Sequence, residues 1–493
     1  MFKPEIILGP PGTGKTTYLL NEVEKTLEAG VDPSRIGYLA FTKKAANEAI
    51  TRAGAKFNLT ENRLANFRTL HSLTFRLMGL NKRQVMNAHD YRAFGDLMGV
   101  QVTGAGGAIE GMVAGFKPGD KALFIIGKAR VRNIPLADQW RENNESLGWY
   151  EVERLQRGLE EFKKQRGMLD FTDMLEQFIA SGDAPELDLL VVDEAQDLSH
   201  LQWQVVQKIA EKSNRVIVAG DDDQAIFQWA GADVQYFIDL QGDVNTLGQS
   251  YRTPRTVQNA ANDIINRVGS RREKVWSPRE DEGAVRYESK GINVDMSKGS
   301  WMVLARNAYM LDSMENHCQR EGWMYEKAGR RSVSDRSLKA IRVWESLRNG
   351  GECTAAEARA VLAYIPHNKR SAPTSGVFTL GSLQTNWGIK TEDIWHEAFE
   401  SMNLVERSYL VAALTRGEKV SAEPRIKLST IHSAKGGEAD NVVLFSDVSP
   451  QSYKNLQHAP DEEARVFYVG MTRAKENLHI VLPQTRFSFA MGV

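Results

Sequence analysis

The stretch EIILGPPGTGKTTYLL, Glu5 to Leu20, constrains what this chain can fold into more than any other. Its apolar run Ile6-Ile7-Leu8 reads as a buried strand. Gly9-Pro10-Pro11-Gly12-Thr13-Gly14-Lys15-Thr16 fits G-x-x-x-x-G-K-[ST], and the residues that follow turn helical. A strand before the loop and a helix after it make the match a phosphate-binding loop of an α/β core. Backbone N–H groups freed by the glycines wrap phosphate oxygens, and the helix N-terminus adds the positive end of its dipole. Lys15 reaches the outer phosphates and Thr16 offers its hydroxyl to magnesium. The candidate nucleotide loop runs from Gly9 to Thr17.

A second feature of the same chemistry stands far downstream. LDLLVVDEAQDLS is an apolar strand that ends in Asp193-Glu194. Asp193 can hold magnesium directly or through water, and Glu194 can polarise the attacking water as general base. A strand capped by a solvated acidic turn is the plainer alternative. With a phosphate loop in the same chain, the pair implies hydrolysis in addition to nucleotide binding.

Composition narrows the setting. At 493 residues the chain is longer than one hydrophobic core supports, so two or more domains are expected. The 42% hydrophobic and 25% charged fractions are those of a soluble globular protein. No apolar run suggests a membrane span, and the N-terminus lacks the pattern of a secretory signal, so a cytoplasmic protein is expected. Cys318 and Cys353 have no metal-site spacing and read as buried thiols. The 62 basic and 63 acidic residues give a net charge of -1, which excludes a uniformly basic coat and makes any nucleic-acid site a local one.

AGDDDQAIFQWAGA, Ala219 to Ala232, joins three aspartates and a glutamine to two large aromatics. Carboxylates and amides suit phosphate, metal or water, whereas exposed aromatics suit bases. Together with DEAQD, QSYRTP, STIHSAKGGEADNVVLF, FYVGMTRAKENL, AFTKKAANEAI and FRTLHSLTFRLMG, this segment resembles the ordered motifs of superfamily 1 DNA helicases of the UvrD/Rep/PcrA-like group. The resemblance runs from Gly9 to about Leu478.

That resemblance implies specific roles. Gln224 would sense the terminal phosphate, while Phe227 and Trp229 would stack on unpaired bases without reading sequence. Arg252 and Arg473 match the two finger arginines, one on each side of an inter-domain cleft that holds ATP. Tyr251 would stack on adenine and Glu438 would contact the ribose. Thr42, Lys43, Thr69, His71, Thr430 and His432 fall where the family holds the strand by phosphates and sugars. The implied activity is ATP-dependent, Mg2+-requiring translocation on single-stranded DNA, 3′ to 5′, with strand separation. The expected partners are single strands and single/double-strand junctions, with replication or repair proteins as further candidates and an active monomer.

The expected architecture is two RecA-like cores with parallel sheets, each carrying a mainly helical insertion. The first core would comprise 1–75 and 165–255, interrupted by 76–164; GMLDFTDMLEQFIA, with Asp170, Phe171 and Asp173, re-enters it. The second would comprise 256–350 and 421–493, interrupted by a short 351–420. Four departures from the family pattern stand out. Only eight residues precede Gly9, so the upstream glutamine motif that reads adenine is absent and Tyr251 becomes the main expected base contact. Ala230 follows Trp229 where arginine is usual, Gly437 replaces a bulky apolar residue, and the second insertion is short. A single-strand translocase with weak unwinding is the nearest rival. A P-loop kinase or small-molecule ATPase without DNA is a more distant one, and RNA stays open as a substrate.

Overall fold

The computed structural model describes residues 3–104, 117–143, 147–368 and 372–492, with only the backbone described at Lys44. The parts of the expected insertions at 105–116, 144–146 and 369–371 lie outside the described residues. The chain forms two compact units.

The first unit comprises Met1–Gly283, Lys454–Thr472 and Met491–Val493. Its strands are β1 (Glu5–Leu8), β2 (Ile36–Ala40), β3 (Phe67–Thr69), β4 (Leu187–Val192), β5 (Ser213–Gly220) and β6 (Asp243–Thr246). They form one sheet in the order β3-β2-β4-β5-β1-β6, and every pairing is parallel. Strands covered on both faces must be apolar at almost every position, as Ile6-Ile7-Leu8 and Leu189-Leu190-Val191-Val192 are. Alternate side chains sort to opposite faces. Ile6, Leu8, Leu190 and Val192 pack with Trp203 and Val206 on one side, and Ile7, Leu189, Val191 and Ile217 pack with Leu19, Val23 and Ala49 on the other.

The insertion between β3 and β4 has a core of its own, built from Tyr91, Phe94, Ile126, Leu155, Leu159 and Phe162 on the helices Ala88–Met98, Pro118–Arg132 and Trp149–Arg166. Buried charge fastens it to the sheet's helix Phe171–Ser181. Arg130 reaches Asp170 at 2.8 Å and Glu176 at 2.7 Å, and Lys163 reaches Asp170 at 2.7 Å and Asp173 at 2.6 Å.

The second unit comprises Ala284–Tyr453 and Arg473–Ala490. Its strands are β7 (Ala284–Glu288), β8 (Trp301–Ala305), β9 (Tyr325–Lys327), β10 (Arg330–Arg331), β11 (Cys353–Thr354), β12 (Val377–Phe378), β13 (Ile426–Thr430), β14 (Ala439–Phe445) and β15 (Ala474–Val481). The main sheet has the order β10-β9-β13-β8-β14-β15-β7 and is parallel apart from the β9/β10 hairpin, while β11 and β12 form a separate antiparallel pair. The chain is thus α/β with two parallel-sheet units.

Two boundaries differ from those expected. The first unit extends past 255 to Gly283 and takes in Lys454–Thr472. The cause is the packing of helix Arg255–Ile265 on helix Pro460–Met471, where Arg465 donates to the carbonyls of Asp222 at 2.8 Å and Ser270 at 2.6 Å. Among the described residues the segment 351–420 packs into its host: Leu362, Trp387, Trp395, Phe399 and Tyr409 share one apolar cluster with Val303, Leu428 and Val443 of the sheet. An insertion this short buries its apolar side chains on its host, because it is too small to enclose them alone.

Candidate nucleotide and nucleic-acid site

In the first unit the sequence motifs follow the carboxyl ends of parallel strands, where open α/β sheets bind ligands. The phosphate loop leaves β1, Thr42 follows β2, Thr69 ends β3, Asp193-Glu194 follows β4 and Asp221 follows β5. Since β4, β5 and β1 are neighbours, the loop and the two carboxylates, far apart in sequence, meet at one sheet edge.

Lys15 Nζ lies 2.8 Å from Asp193 Oδ1 and also pairs with Glu194 Oε1. Burial alone would lower the pKa of this lysine, but the two carboxylates outweigh it and hold the ammonium above the ordinary lysine range. Asp193 is buried; its Oδ1 also accepts from Glu194 N at 2.8 Å and its Oδ2 from the Tyr38 hydroxyl at 3.1 Å. Glu194 sits in the left-handed region at φ 55, a conformation costly for a residue with a Cβ. That turn aims its carboxylate back toward Lys15. Gln196 then donates to Glu194 Oε2 at 2.7 Å and accepts from Asp221 N at 3.0 Å, while Asp221 Oδ2 accepts from Gln224 Nε2 at 2.7 Å. A continuous chain of hydrogen bonds therefore joins the candidate base to the candidate phosphate sensor.

The loop also holds the segment Ser250–Arg252. Ser250 Oγ donates to Pro11 O at 2.7 Å and Tyr251 N to Gly12 O at 2.9 Å. Gly12 has φ 72, and a Cβ there would lie 2.3 Å from Arg252 Cβ, so the docking needs glycine for both conformation and space. Arg252 is brought to the phosphate loop, and the Tyr251 ring is 75% exposed, open to a flat ligand. Thr16 is half-buried and Thr17 exposed at the start of helix Lys15–Glu28.

The donor set suits magnesium carried by a nucleotide. Thr16 and Asp193 supply hard oxygen donors, and no cluster of three or more His, Cys, Asp or Glu side chains able to hold a metal occurs among the described residues. A site with few protein donors matches an ion that keeps its waters and takes phosphate oxygens as remaining ligands.

The three aspartates that open the DDDQ segment turn out to be buried and bound by protein cations. Lys274 Nζ lies 3.1 Å from Asp221, 2.6 Å from Asp222 and 3.1 Å from Asp223, and Arg271 grips Asp223 through Nε at 2.9 Å and Nη2 at 2.6 Å. Burial, with Asp222 and Asp223 adding to it against Lys274, pushes Asp221 up to about 6. Burial would lower the Lys274 pKa, but the three carboxylates outweigh it and raise it. Lys274, Gln196 and Tyr38 are the supports that sequence reading missed. For Gln196 the signal was present in DEAQD, two residues after Glu194.

Among the residues expected to hold the strand, Thr42 and Lys43 are exposed at the start of helix Lys43–Phe57, where Thr42 Oγ1 caps Ala45 N at 3.2 Å. Thr69 caps Ser72 N at 3.4 Å and is buried, and His71 is buried with its ring edge-on to Phe171 at 5.7 Å. A capping hydroxyl accepts with oxygen and keeps its O–H as a donor, so capping and phosphate contact are compatible at Thr42. Phe227, expected as an open stacking ring, is 8% exposed and packs on Phe41 with centroids 5.4 Å apart. A ring of this size is more stable there than in water. Trp229 is half-buried and stacks on Phe124 of the insertion.

In the second unit Thr430 ends β13, with its Oγ1 3.0 Å from Ser433 Oγ, and half-buried His432 follows. Glu438 and Arg473 precede the paired strands β14 and β15, at the opposite, amino end of the sheet from Thr430. Glu438 pairs with Lys475 at 2.9 Å, and buried Arg473 donates through Nη1 to Gly437 O at 3.3 Å. A Cβ at Gly437 would meet Met302 Cε at 3.0 Å and Ala434 O at 3.1 Å, which leaves little room for a bulkier residue.

The comparison with known proteins agrees with this geometry. The family description "UvrD/REP helicase N-terminal domain" matches residues 2–245, and "UvrD-like helicase C-terminal domain" matches 386–485. A Rickettsia felis protein named "Probable DNA helicase II homolog" is 22% identical, with 99% of this chain and 91% of that protein covered. The Staphylococcus aureus protein named "ATP-dependent DNA helicase PcrA" is 25% identical over 58% of this chain and 41% of its own length. The Bacillus subtilis protein YjcD is 26% identical over 57% of this chain and 38% of its own length. The chain therefore spans less than half of the latter two relatives, but nearly all of the first. With both halves of one family matched in order, the chain belongs to the UvrD-like helicases.

Proposed function

We propose that the protein is an ATP-dependent DNA helicase that moves on single-stranded DNA 3′ to 5′ and separates strands as it goes. The observation that carries the reading is the meeting of Lys15, Asp193 and Glu194 at one sheet edge, with Ser250–Arg252 docked on the same loop. Lys15 and Arg252 would bind the outer phosphates, and Tyr251 would cover the base. Thr16 and Asp193 would hold Mg2+, which supplies charge neutralisation between the phosphates when bound. Glu194 would take a proton from the attacking water as that water adds to the terminal phosphorus and the bridging oxygen leaves with ADP. Gln224, tied to Glu194 through Asp221 and Gln196, would report phosphate loss to the aromatic segment that follows it. Arg473 and Glu438 of the second unit would serve the nucleotide, and Thr42, Lys43, Thr69, His71, Thr430 and His432 would line the strand.

The test is ATP-driven displacement from matched duplexes bearing a 3′ tail, a 5′ tail or no tail, with Lys15→Ala as control. Displacement from the 3′-tailed duplex alone is expected. Displacement from the 5′-tailed duplex would overturn the polarity. Absence of displacement with ATPase still stimulated by single strands would establish a translocase with weak unwinding. The shortness of 351–420 favours that second reading, since it removes surface that a longer insertion would offer a duplex.

A further inference from the structure

Helix Pro118–Arg132 of the insertion carries Phe124, Lys128 and Arg132 four residues apart, so the three side chains form one stripe. That stripe runs along the turn Gln228–Gly231. The Phe124 and Trp229 rings stack with centroids 6.1 Å apart and planes 21° apart. Gly231, at φ 102, leaves the space through which the helix passes: a Cβ there would lie 2.8 Å from Val131 Cγ2, 3.6 Å from Arg132 Cγ and 3.9 Å from Lys128 Cγ. Phe124, Lys128, Gln228, Trp229 and Ala230 are all half-buried.

The cations on the stripe are not equivalent. Arg132 is committed to Glu142 and to Gln139, the latter at 2.7 Å. Lys128 makes no ion pair within 4 Å among the described residues. Burial and the neighbouring Arg132 lower its pKa, against the weaker pull of Glu462 and Glu142. Such a cation gains from an arriving anion. The segment Ala225–Gly231 has no basic residue of its own, so a base stacked at Trp229 would bring a phosphate that only a neighbouring element can neutralise.

We propose that Phe124 and Lys128 are single-strand-binding residues of this chain: Phe124 extends the Trp229 platform on which a base stacks, and Lys128 takes the adjoining phosphate. The proposal rests on the helicase reading and adds to it a grip contributed by the insertion. Stacking plus one phosphate contact carries no sequence information, as a moving protein requires.

The test is binding of a fluorescent oligothymidylate to the full chain by anisotropy over a range of KCl concentrations, with thermal unfolding of each variant as the check on folding. Phe124→Ala and the volume-keeping Phe124→Leu should both weaken binding about tenfold with an unchanged salt slope, while Phe124→Tyr should bind nearly as wild type. Lys128→Ala should reduce the slope of log K against log salt by about 0.7, and Lys128→Arg should restore it. Wild-type affinity in Phe124→Leu would make Phe124 a packing residue and overturn its part. An unchanged slope in Lys128→Ala would overturn the phosphate contact. Failure of wild type to bind oligothymidylate at all would instead remove the helicase reading and this proposal with it.

Discussion

At the scale of single residues, the chemistry turns on Lys15 being held between two acids at the end of a parallel sheet. Glu194 is the sharper test, since Gln at that position keeps the shape and can still bond to Gln196 but cannot accept a proton. Glu194→Gln should lower DNA-stimulated kcat by about 10²- to 10⁴-fold with little change in the KM for ATP. Lys15→Ala should also abolish hydrolysis while leaving single-strand binding in place. Steady-state ATPase with and without oligonucleotide checks both, and an unchanged kcat in Glu194→Gln would return Glu194 to a structural role. These residues were legible because each belongs to a local pattern: glycine spacing before Lys15 and an apolar strand before Asp193. Tyr38 and Lys274 were not. Their partners lie 155 residues away at Asp193 and 52 away at Asp222, and nothing in a neighbouring sequence marks a tyrosine or lysine that will fold onto a carboxylate.

At the scale of elements, the segment after β5 shows how a motif can hold two functions. Its aspartates face inward to Lys274 and Arg271, its glutamine joins the hydrogen-bond chain from Glu194, and its aromatics lean on Phe41 and Phe124. The sequence foretold the segment but not the burial of its acids, because three adjacent aspartates read as solvated until a buried lysine is placed among them. Lys274→Met should cost about 3 to 5 kcal/mol, since it leaves buried carboxylates uncompensated, and a lower urea midpoint would register it. Wild-type stability in that variant would show that Arg271 alone suffices. A pH effect follows from Asp221. Its folded pKa of about 6 stands above the ordinary 3.8, so the folded state binds that proton more tightly than the unfolded chain. The stability this contributes is complete below pH 3.8 and is lost as pH rises through 6. Wild type should therefore lose stability relative to Asp221→Asn across that window. A difference between the two that does not vary with pH would mean that Asp221 titrates normally.

At the scale of the whole molecule, two parallel-sheet units were legible because their central strands, such as Leu187–Val192 and Trp301–Ala305, are largely apolar runs separated by helices. Their limits were less so. The recapture of Lys454–Thr472 by the first unit depends on helix Arg255–Ile265 meeting helix Pro460–Met471, a contact across some two hundred residues that no local pattern announces. The fusion of 351–420 to its sheet likewise depends on which apolar side chains find each other. Arg473 of the second unit, a proposed finger arginine, gives the test at this scale. If it serves phosphoryl transfer, Arg473→Ala should lower kcat by about 10³-fold or more, because the charge it offers is felt chiefly in the transition state. Arg473→Lys keeps the charge but loses the planar fork, and should recover only part of that loss. The competing role is the one its packing shows, support of the Gly437 carbonyl within the second unit. A structural arginine predicts a fall in thermal midpoint with kcat per folded molecule preserved, so measuring kcat, KM and unfolding on the same preparations separates the two.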